Sequence, residues 1–204
     1  MSIAASPAAA LFQKPWYPIL RRFTVDEYHR MIDAGILTED DDVELLEGWI
    51  VPKMSRNPSH DGTLSISKRT LETHLPSGWH VRIQCAITTG DSEPEPDIAI
   101  VRGDERSYLQ RHPIPADVGL LIEVANASLS DDRNDKARLY ARAGIVSYWI
   151  INLIDRQIEM YTDPTGPDAA PRYRQRQDYR IPQNIPFALA GAQSSQLAVS
   201  DLLP

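Results

Sequence analysis

Leu120-Leu121-Ile122-Glu123-Val124 places one carboxylate inside an otherwise apolar run, and this stretch decides the fold. A short, apolar run of this kind is typical of a strand that is buried on both faces. An unpaired charge inside such a strand is costly, so Glu123 needs a metal ion, a cationic side chain or another hydrogen-bonding partner. The stretch therefore predicts a central strand whose acid either binds a metal ion or forms a structural ion pair with an arginine.

The runs around this strand predict an α/β domain with a central sheet flanked by helices. Thr24 and Glu27 form a capping-box pattern that opens a helix, and Glu47-Gly48 marks the turn of a β-hairpin. The predicted helices are 24–34, 60–75 with Ser59 as its cap, 130–143, and a short terminal helix at 194–203. The predicted strands are 42–46, 49–54, 79–88, 97–101, 119–124, 146–152, 157–161 and 172–180.

Composition limits the class of protein. The 204 residues suit one domain, and we predict a tail at 1–20 followed by a single domain at 21–204. The longest apolar runs have the length of strands, which excludes a membrane span, and the start of the chain lacks a signal-peptide pattern, which predicts a cytoplasmic protein. The one cysteine, Cys85, is predicted to be a small core residue in a strand. The net charge of -7 argues mildly against binding nucleic acid by overall attraction, but an active site built to hold a metal ion is itself acidic.

Asp97 is the second candidate acid. In Glu95-Pro96-Asp97 two carboxylates stand at alternate positions, so they point to one side if the segment is extended. The segment leads directly into the apolar run Ile98-Ala99-Ile100, which predicts that Asp97 lies at the end of a buried strand. The alternative is that Asp97 is an ordinary turn residue beside a proline.

Lys136 is the candidate cation. It lies in the second turn of the helix that follows the Glu123 strand, and Tyr140 lies on the same helix face. Its long side chain can fold back over the end of the strand. The alternative is an exposed lysine paired to Asp132 four residues earlier.

These residues together fit one reaction. Two acids from adjacent strands can hold a hard divalent cation such as Mg²⁺, while a nearby ammonium can position a water molecule and offset phosphate charge. Such a set of side chains can catalyse the hydrolysis of a phosphodiester bond.

The order of these motifs resembles the PD-(D/E)xK nuclease superfamily, and within it the Uma-two family of restriction endonuclease-like proteins. The resemblance covers about 23–161 and implies a restriction endonuclease-like core with a central mixed β-sheet. It rests on Glu44 to Gly48, Pro58 with His60, Pro96-Asp97-Ile98, Ile122-Glu123-Val124, Lys136, Tyr140 to Gly144 and Tyr148-Trp149-Ile150. The chain departs from the superfamily at Ala125, where the strand motif has its lysine, so the ammonium has to come from Lys136.

The resemblance also implies roles for Glu44 and His60. Glu44 would join Asp97 and Glu123 as a metal ligand, directly or through water, and His60 would contact a phosphate or a water molecule. The alternatives are that the hairpin acid at Glu47 is a turn residue and that His60 is only a neighbour of the helix cap. The implied activity is Mg²⁺-dependent endonuclease cleavage of DNA, with Mn²⁺ as an alternative ion and RNA as an alternative target. Nucleases of this superfamily often pair two sites, which raises the option of a homodimer. The competing function is a non-catalytic module that binds nucleic acid or protein and retains a nuclease fold.

Arginines at alternate positions of the last predicted strand form another basic feature. Arg172, Arg174, Arg176 and Arg180 fall on one face of the run. They either contact a phosphate backbone or form a solvated face that balances the acidic surface, and the second interpretation is favoured because charge runs are usually solvated.

Overall fold

Six strands form the central sheet of the computed structural model, which describes residues 20–54 and 56–204. The strands are β3 (Trp79–Ile83), β4 (Ile98–Arg102), β5 (Val118–Ala125), β6 (Ser147–Asn152), β7 (Gln157–Pro164) and β8 (Tyr173–Arg180), and they lie side by side in that order. The β5 and β6 strands are parallel, whereas all other neighbours in this sheet are antiparallel. The predicted mixed sheet is confirmed, while the tail predicted at 1–20 lies outside the described residues except for its last position.

Helices and two small sheets surround the central sheet. The helices are α1 (Val25–Asp33), α2 (Pro58–His74), α3 (Leu129–Asp131) and α4 (Ala137–Arg142), and a π-helical segment (Asp132–Lys136) joins α3 to α4. The small sheets are the hairpin of β1 (Val43–Leu46) with β2 (Trp49–Pro52), and the pair β9 (Asn184–Phe187) with β10 (Ser195–Ala198). Short 3₁₀ turns lie at Glu39–Asp41, Glu105–Tyr108, Pro115–Asp117 and Val199–Asp201. Among the described residues, every helix is too short or too polar to cross a bilayer.

The β5 strand is the centre of the fold, since all of its residues are buried. Its alternate side chains enter two separate apolar clusters, with Leu120 and Ile122 on the α2 side and Leu121 and Ala125 on the α4 side. Glu123 has the same parity as Leu121, so its side chain lies on the α4 side. The sequence pattern predicted this strand correctly because a strand covered on both faces must be apolar at nearly every position.

The N-terminal predictions are confirmed in most details. Thr24 and Glu27 form the predicted capping box at the start of α1. The hairpin turn uses a positive φ at Glu47 (51°) as well as at Gly48 (79°), which is the geometry of a two-residue turn matched to the twist of its strands. The cap of α2 was predicted wrongly: Asn57 Oδ1, not Ser59, accepts the amide of His60 at 3.0 Å, and Pro58 occupies the first helical position.

Two other predictions were wrong. The strand predicted at 79–88 ends at Ile83, because Gln84 has a positive φ of 49° that breaks the extended backbone, and Cys85 is therefore partly exposed outside any strand. The terminal helix predicted at 194–203 is instead β10 followed by a 3₁₀ turn, paired with a strand at 184–187 that the sequence reading missed. The leucines of this segment are nevertheless buried against the body, which gave the apolar pattern that was misread as a helix.

Candidate active site

One cleft at the end of β5 brings together all five residues selected from the sequence. Its walls come from the hairpin, the start of α2, the segment before β4 and the helical run from α3 to α4. The five residues are Glu44, His60, Asp97, Glu123 and Lys136.

Asp97 lies immediately before β4 and is held by three donors. Its Oδ2 accepts from the Val124 amide at 2.8 Å and lies 3.0 Å from Nε2 of His60, while its Oδ1 accepts from Nε2 of Gln84 at 3.1 Å. Burial raises the pKa of Asp97, but the hydrogen bonds from His60 and the Val124 amide outweigh it, so the pKa falls below its usual value. Asp97 is therefore an ionised carboxylate locked to the end of the neighbouring strand, and not a turn residue open to solvent.

Glu123 is 3 % exposed, and its carboxylate contacts a cationic side chain, as expected for a charge inside an apolar strand. Its Oε1 accepts from Nζ of Lys136 at 3.0 Å and from the hydroxyl of Tyr140 at 2.7 Å, and its Oε2 accepts from the Asp97 amide at 3.3 Å. Burial raises the pKa of Glu123 above its ordinary range even though Lys136 opposes the shift. The cation is a lysine and not the arginine that the alternative interpretation required.

Lys136 reaches back from its helix to the strand. Burial opposes its charge, but the carboxylates of Glu123, Glu44 and Asp132 outweigh burial and raise the pKa of Lys136, so the side chain is an ammonium. The exposed pairing with Asp132 is not what the structure shows, since the Lys136 side chain is turned inward to Glu123.

The π-helical segment positions this part of the cleft. It contains Asp132 and Lys136, and Tyr140 follows one turn later in α4. The π-helical turns of proteins occur often at functional sites. Asp132 is 2 % exposed, lines the cleft, and its Oδ2 is buried without a hydrogen-bond partner. Burial raises the pKa of Asp132 to about 6.

Glu44 enters the cleft from the hairpin. Its Oε2 accepts from the Glu95 amide at 2.9 Å, which ties β1 to the segment that leads into Asp97. The hairpin is held at its turn by Glu47, whose Oε2 accepts from Nη2 of Arg138 on α4 at 2.8 Å. Glu47 therefore fixes the hairpin in place, and Glu44 is the hairpin acid that faces the cleft.

His60 lies in the first turn of α2 and is 9 % exposed. Its hydrogen bond to Asp97 raises the pKa of His60, and burial only partly offsets that effect. The imidazole is thus biased toward its charged form beside an ionised acid.

Two basic side chains that were not selected from the sequence also lie at the cleft. Lys53 and Arg56 line it, with Lys53 Nζ 2.8 Å from Glu95 and Arg56 Nη1 2.7 Å from Oε1 of Gln84. The arginines of β8 lie on an outer strand and bind acids there: Arg174 pairs with Asp163, and Arg176 with Asp178. The favoured interpretation, a solvated face that balances acidic residues, agrees with the contact of Arg174, whereas Arg176 also contacts the buried Glu159.

Besides Lys53 and Arg56, sequence reasoning missed three residues of the site. Asp132 was considered only as a surface partner for Lys136, Tyr140 only as a neighbour on the helix, and Gln84 not at all. An available signal for Asp132 was its place four residues before the lysine that the cleft needs, on the same side of the helix. Gln84 gave no signal, because its role follows from a backbone conformation that its residue type does not indicate.

The donor set of the cleft fits a hard cation. Carboxylate oxygens are the ligands that Mg²⁺ prefers, and the buried, unpartnered oxygen of Asp132 is a further acceptor at the same place. Among the described residues, the carboxylates of Glu44, Asp97 and Glu123 do not form a group of three ligand atoms that all lie within 4.8 Å of one another. Mg²⁺ usually binds through one or two carboxylates and keeps several water molecules, so this wider arrangement suits it.

A mixed sheet with an acidic, lysine-containing cleft at the end of its central strand defines a restriction endonuclease-like protein. The model of the Uma2 family, described as "Putative restriction endonuclease", matches residues 25–199, and the chain belongs to that family. A solved structure described as a putative nuclease belonging to DUF820, from Anabaena variabilis, has the same fold, with a TM-score of 0.62 and 17% identity over 88% of this chain and 97% of that one. None of the curated proteins compared with the chain matches it.

Proposed function

We propose that this protein is a Mg²⁺-dependent endonuclease that hydrolyses phosphodiester bonds in DNA. The observation that carries the proposal is the contact between Lys136 Nζ and Glu123 Oε1 at 3.0 Å, on a carboxylate whose other oxygen accepts from the Asp97 amide. This contact supports the proposal because two acids and a lysine are the residue types that such a nuclease site requires, although the lysine here comes from a helix. Membership of a family described as restriction endonucleases supports the same activity.

Asp97, Glu123 and Glu44 are the residues that would hold the metal ion, directly or through bound water molecules. Bound Mg²⁺ supplies a Lewis acid that polarises the phosphoryl group and lowers the pKa of a water molecule. Asp97 stays ionised because its donors stabilise the charge, and Tyr140 fixes the orientation of the Glu123 carboxylate.

The cations of the cleft act on the substrate. The Lys136 ammonium lies beside Glu123, where it orients a water molecule and stabilises negative charge that develops on the phosphate. The charged form of His60, held by Asp97, offers a second donor to a phosphate oxygen. Lys53 and Arg56 at the rim position the phosphate backbone without reading base sequence. Two copies of the domain at 21–204, in the cytoplasm, would present two such clefts to the two strands of DNA.

The test is cleavage of supercoiled plasmid DNA by the purified chain with Mg²⁺, with Mn²⁺, and with a chelator. We expect nicked and linear products with either ion and none with the chelator. Asp97→Ala and Lys136→Ala should each abolish cleavage, while Asp33→Ala and Lys68→Ala, exposed residues away from the cleft, should cleave as the wild type does.

The controls separate the two functions weighed from the sequence. Single-stranded DNA and RNA substrates, assayed in parallel, define the nucleic acid that is cut. DNA binding in the presence of Mg²⁺ without cleavage of any of these substrates would overturn the nuclease proposal in favour of a non-catalytic binding module. Cleavage that persists in Asp97→Ala would place the activity outside this cleft.

A further inference from the structure

A second cluster of metal-ligand side chains lies outside the cleft. His29 of α1 places Nε2 2.8 Å from both carboxylate oxygens of Glu93, and Nε2 of His112 lies 3.9 Å from Oε1 of the same acid. One ligand atom from each of these three residues lies within 4.8 Å of the other two, and no other group of three His, Cys, Asp or Glu residues in the described part of the chain meets that criterion.

The elements that supply the cluster are distant in sequence but joined by backbone contacts. Glu93 bridges to β1, where its amide donates to the Leu45 carbonyl at 2.7 Å. The loop that carries His112 is fixed next to this segment, because the Thr88 amide donates to the Pro113 carbonyl at 2.9 Å. A side chain from α1 then completes the group, so three separate parts of the fold converge on one acid.

Glu93 is the buried centre of this arrangement. It is 4 % exposed, and no lysine or arginine of the described residues lies within ion-pair distance of it; its recorded ion pairs are with the two histidines. A buried carboxylate without a permanent cation is costly. Thr88 Oγ1 donates to Glu93 Oε2 at 2.7 Å and so fixes the carboxylate, as an outer partner does for the carboxylate ligands of metal sites.

The ligand set selects the class of ion. Two imidazoles and one carboxylate form a common three-ligand set for zinc, which leaves a fourth position for water. Imidazole nitrogen suits Zn²⁺ better than Mg²⁺, which prefers oxygen ligands. The two histidine side chains are 42 % and 41 % exposed, so an ion and its water can reach Glu93 from solvent.

We propose that His29, Glu93 and His112 bind a Zn²⁺ ion that fastens α1 and the loop at 109–114 to the segment leading into the cleft. The ion takes one ligand from each of these elements, so it ties them to a single point. Only three residues lie between Glu93 and Asp97, so the site also steadies the backbone that positions the cleft acid. The proposal does not depend on the nuclease activity, because it concerns different side chains and a different ion.

The test is calorimetric titration of the untagged, chelator-treated full chain with Zn²⁺, paired with the visible absorption of a Co²⁺-substituted sample. With excess Mg²⁺ present to occupy the cleft, we expect one equivalent of Zn²⁺ to bind, and a rise in the melting temperature because the ion binds only the folded chain. His29→Ala and His112→Ala should each weaken binding at least about 10-fold, since loss of even an outer partner costs that much. His74→Ala, an exposed histidine of α2, is the matched control and should bind as the wild type does.

Two results would overturn the proposal. One is the absence of Zn²⁺ binding to the wild-type chain. The other is binding that survives in both histidine variants but is lost in Asp97→Ala, which would place the ion in the cleft. His112 lies on a loop, so His112→Ala decides the matter if His29→Ala fails to fold, and the Co²⁺ spectrum of that variant reports the ligands directly.

Discussion

Glu123 and Glu159 are two buried acids on one row of the same sheet, and their surroundings differ. Ile150 of β6 pairs with Glu123 of β5 on one side and with Glu159 of β7 on the other, so the two acids stand two strands apart on the same face. Their exposed fractions are 3 % and 0 %. Their solvent exposure is therefore nearly equal, whereas the donors around each carboxylate differ.

Glu159 is fully supplied with donors. Arg133, Arg176, Asn152, Gln157 and Tyr161 all reach its carboxylate, at distances of 2.5 to 3.2 Å. Burial raises the pKa of Glu159, but the hydrogen bonds from Arg133 and the two amides outweigh it and lower the pKa to about 2.

Glu123 shares its one close cation with other acids. Lys136 faces Glu44 and Asp132 as well as Glu123, and the pKa of Glu123 is raised rather than lowered. The comparison teaches that burial of an acid does not identify a functional site. An excess of buried carboxylates over cations does, because a missing positive charge is what a metal ion would supply.

The largest expected effect on activity is at Glu123, the acid with fewer donors and a shared cation. Glu123→Gln should reduce DNA cleavage on the order of 1,000-fold, because several kcal/mol of charge stabilisation convert at about 1.4 kcal/mol per factor of ten. Its free energy of unfolding should fall by about 1 to 2 kcal/mol, since the amide oxygen still accepts from Lys136 and Tyr140 and only the acceptor for the Asp97 amide is lost. Plasmid cleavage and urea unfolding measure the two effects. Large destabilisation with normal cleavage would reverse the comparison.

Glu159→Gln should show the opposite pattern. We expect a loss of about 3 kcal/mol in the free energy of unfolding, since the arginines lose a charged partner in a buried site. The part of the protein that remains folded should cleave DNA at the wild-type rate. Urea unfolding measures the loss, and Asp163→Asn, which removes an exposed partner of Arg174, is the control that should cost under about 1 kcal/mol.

Glu159 should also determine how the free energy of unfolding falls at low pH. The pKa of Glu159 is about 2 in the folded chain against an ordinary value of 4.5, so its contribution is fully present above about pH 4.5 and is lost as the pH falls toward 2. Glu159→Gln should therefore flatten the fall in stability across that interval. Unfolding curves at several pH values test this, and an unchanged slope would show that Glu159 is not ionised at low pH in the folded state.

Two tyrosine substitutions test the same comparison between Glu123 and Glu159, with smaller expected effects. Tyr140→Phe removes a hydroxyl from Glu123 and should lower cleavage about 10-fold, as expected when one hydrogen bond to a charged group is lost. Tyr161→Phe removes the equivalent hydroxyl from Glu159 and should lower the melting temperature with little effect on cleavage. A higher Mg²⁺ requirement in Tyr140→Phe alone would show that its hydroxyl positions the acid and does not merely fill space.

The smallest effect is expected on β8. Arg174→Ala should change DNA affinity less than about twofold, because Arg174 lies on the outer strand β8 and its guanidinium is bound to Asp163 of β7. Arg56→Ala at the cleft is the matched comparison and should weaken binding more, with a shallower salt dependence. Binding isotherms at two salt concentrations distinguish the two arginines.

The sequence was sufficient to predict those parts of the fold where burial produces a recognisable pattern of apolar residues. The apolar run around Glu123 and the capping box at Thr24 were recognisable because each follows from local rules. The 194–203 segment was not, since a short apolar stretch fits a strand or a helix equally and its partner strand lies elsewhere in the chain.

The residues of the candidate site also divide into those that the sequence identifies and those that it does not. Glu123 could be selected from its apolar neighbours alone, whereas Glu44 and His60 depended on resemblance. Gln84 could not be selected, because its position in the cleft follows from a positive φ that leaves no mark in residue type. Asp132 was overlooked, although its spacing of four residues from Lys136 was visible in the sequence.

The π-helical segment also determines which kinds of sequence change the cleft tolerates. An α-helix turns about 100° per residue, so deleting one residue from 132–136 would restore the ordinary repeat and swing Asp132 away from the side occupied by Tyr140. Replacing the exposed Asn134 or Asp135 would leave that angle unchanged. The length of this segment is therefore more tightly constrained than its composition. In an alignment of relatives, that constraint would be visible in the placement of gaps and not in the identity of any residue.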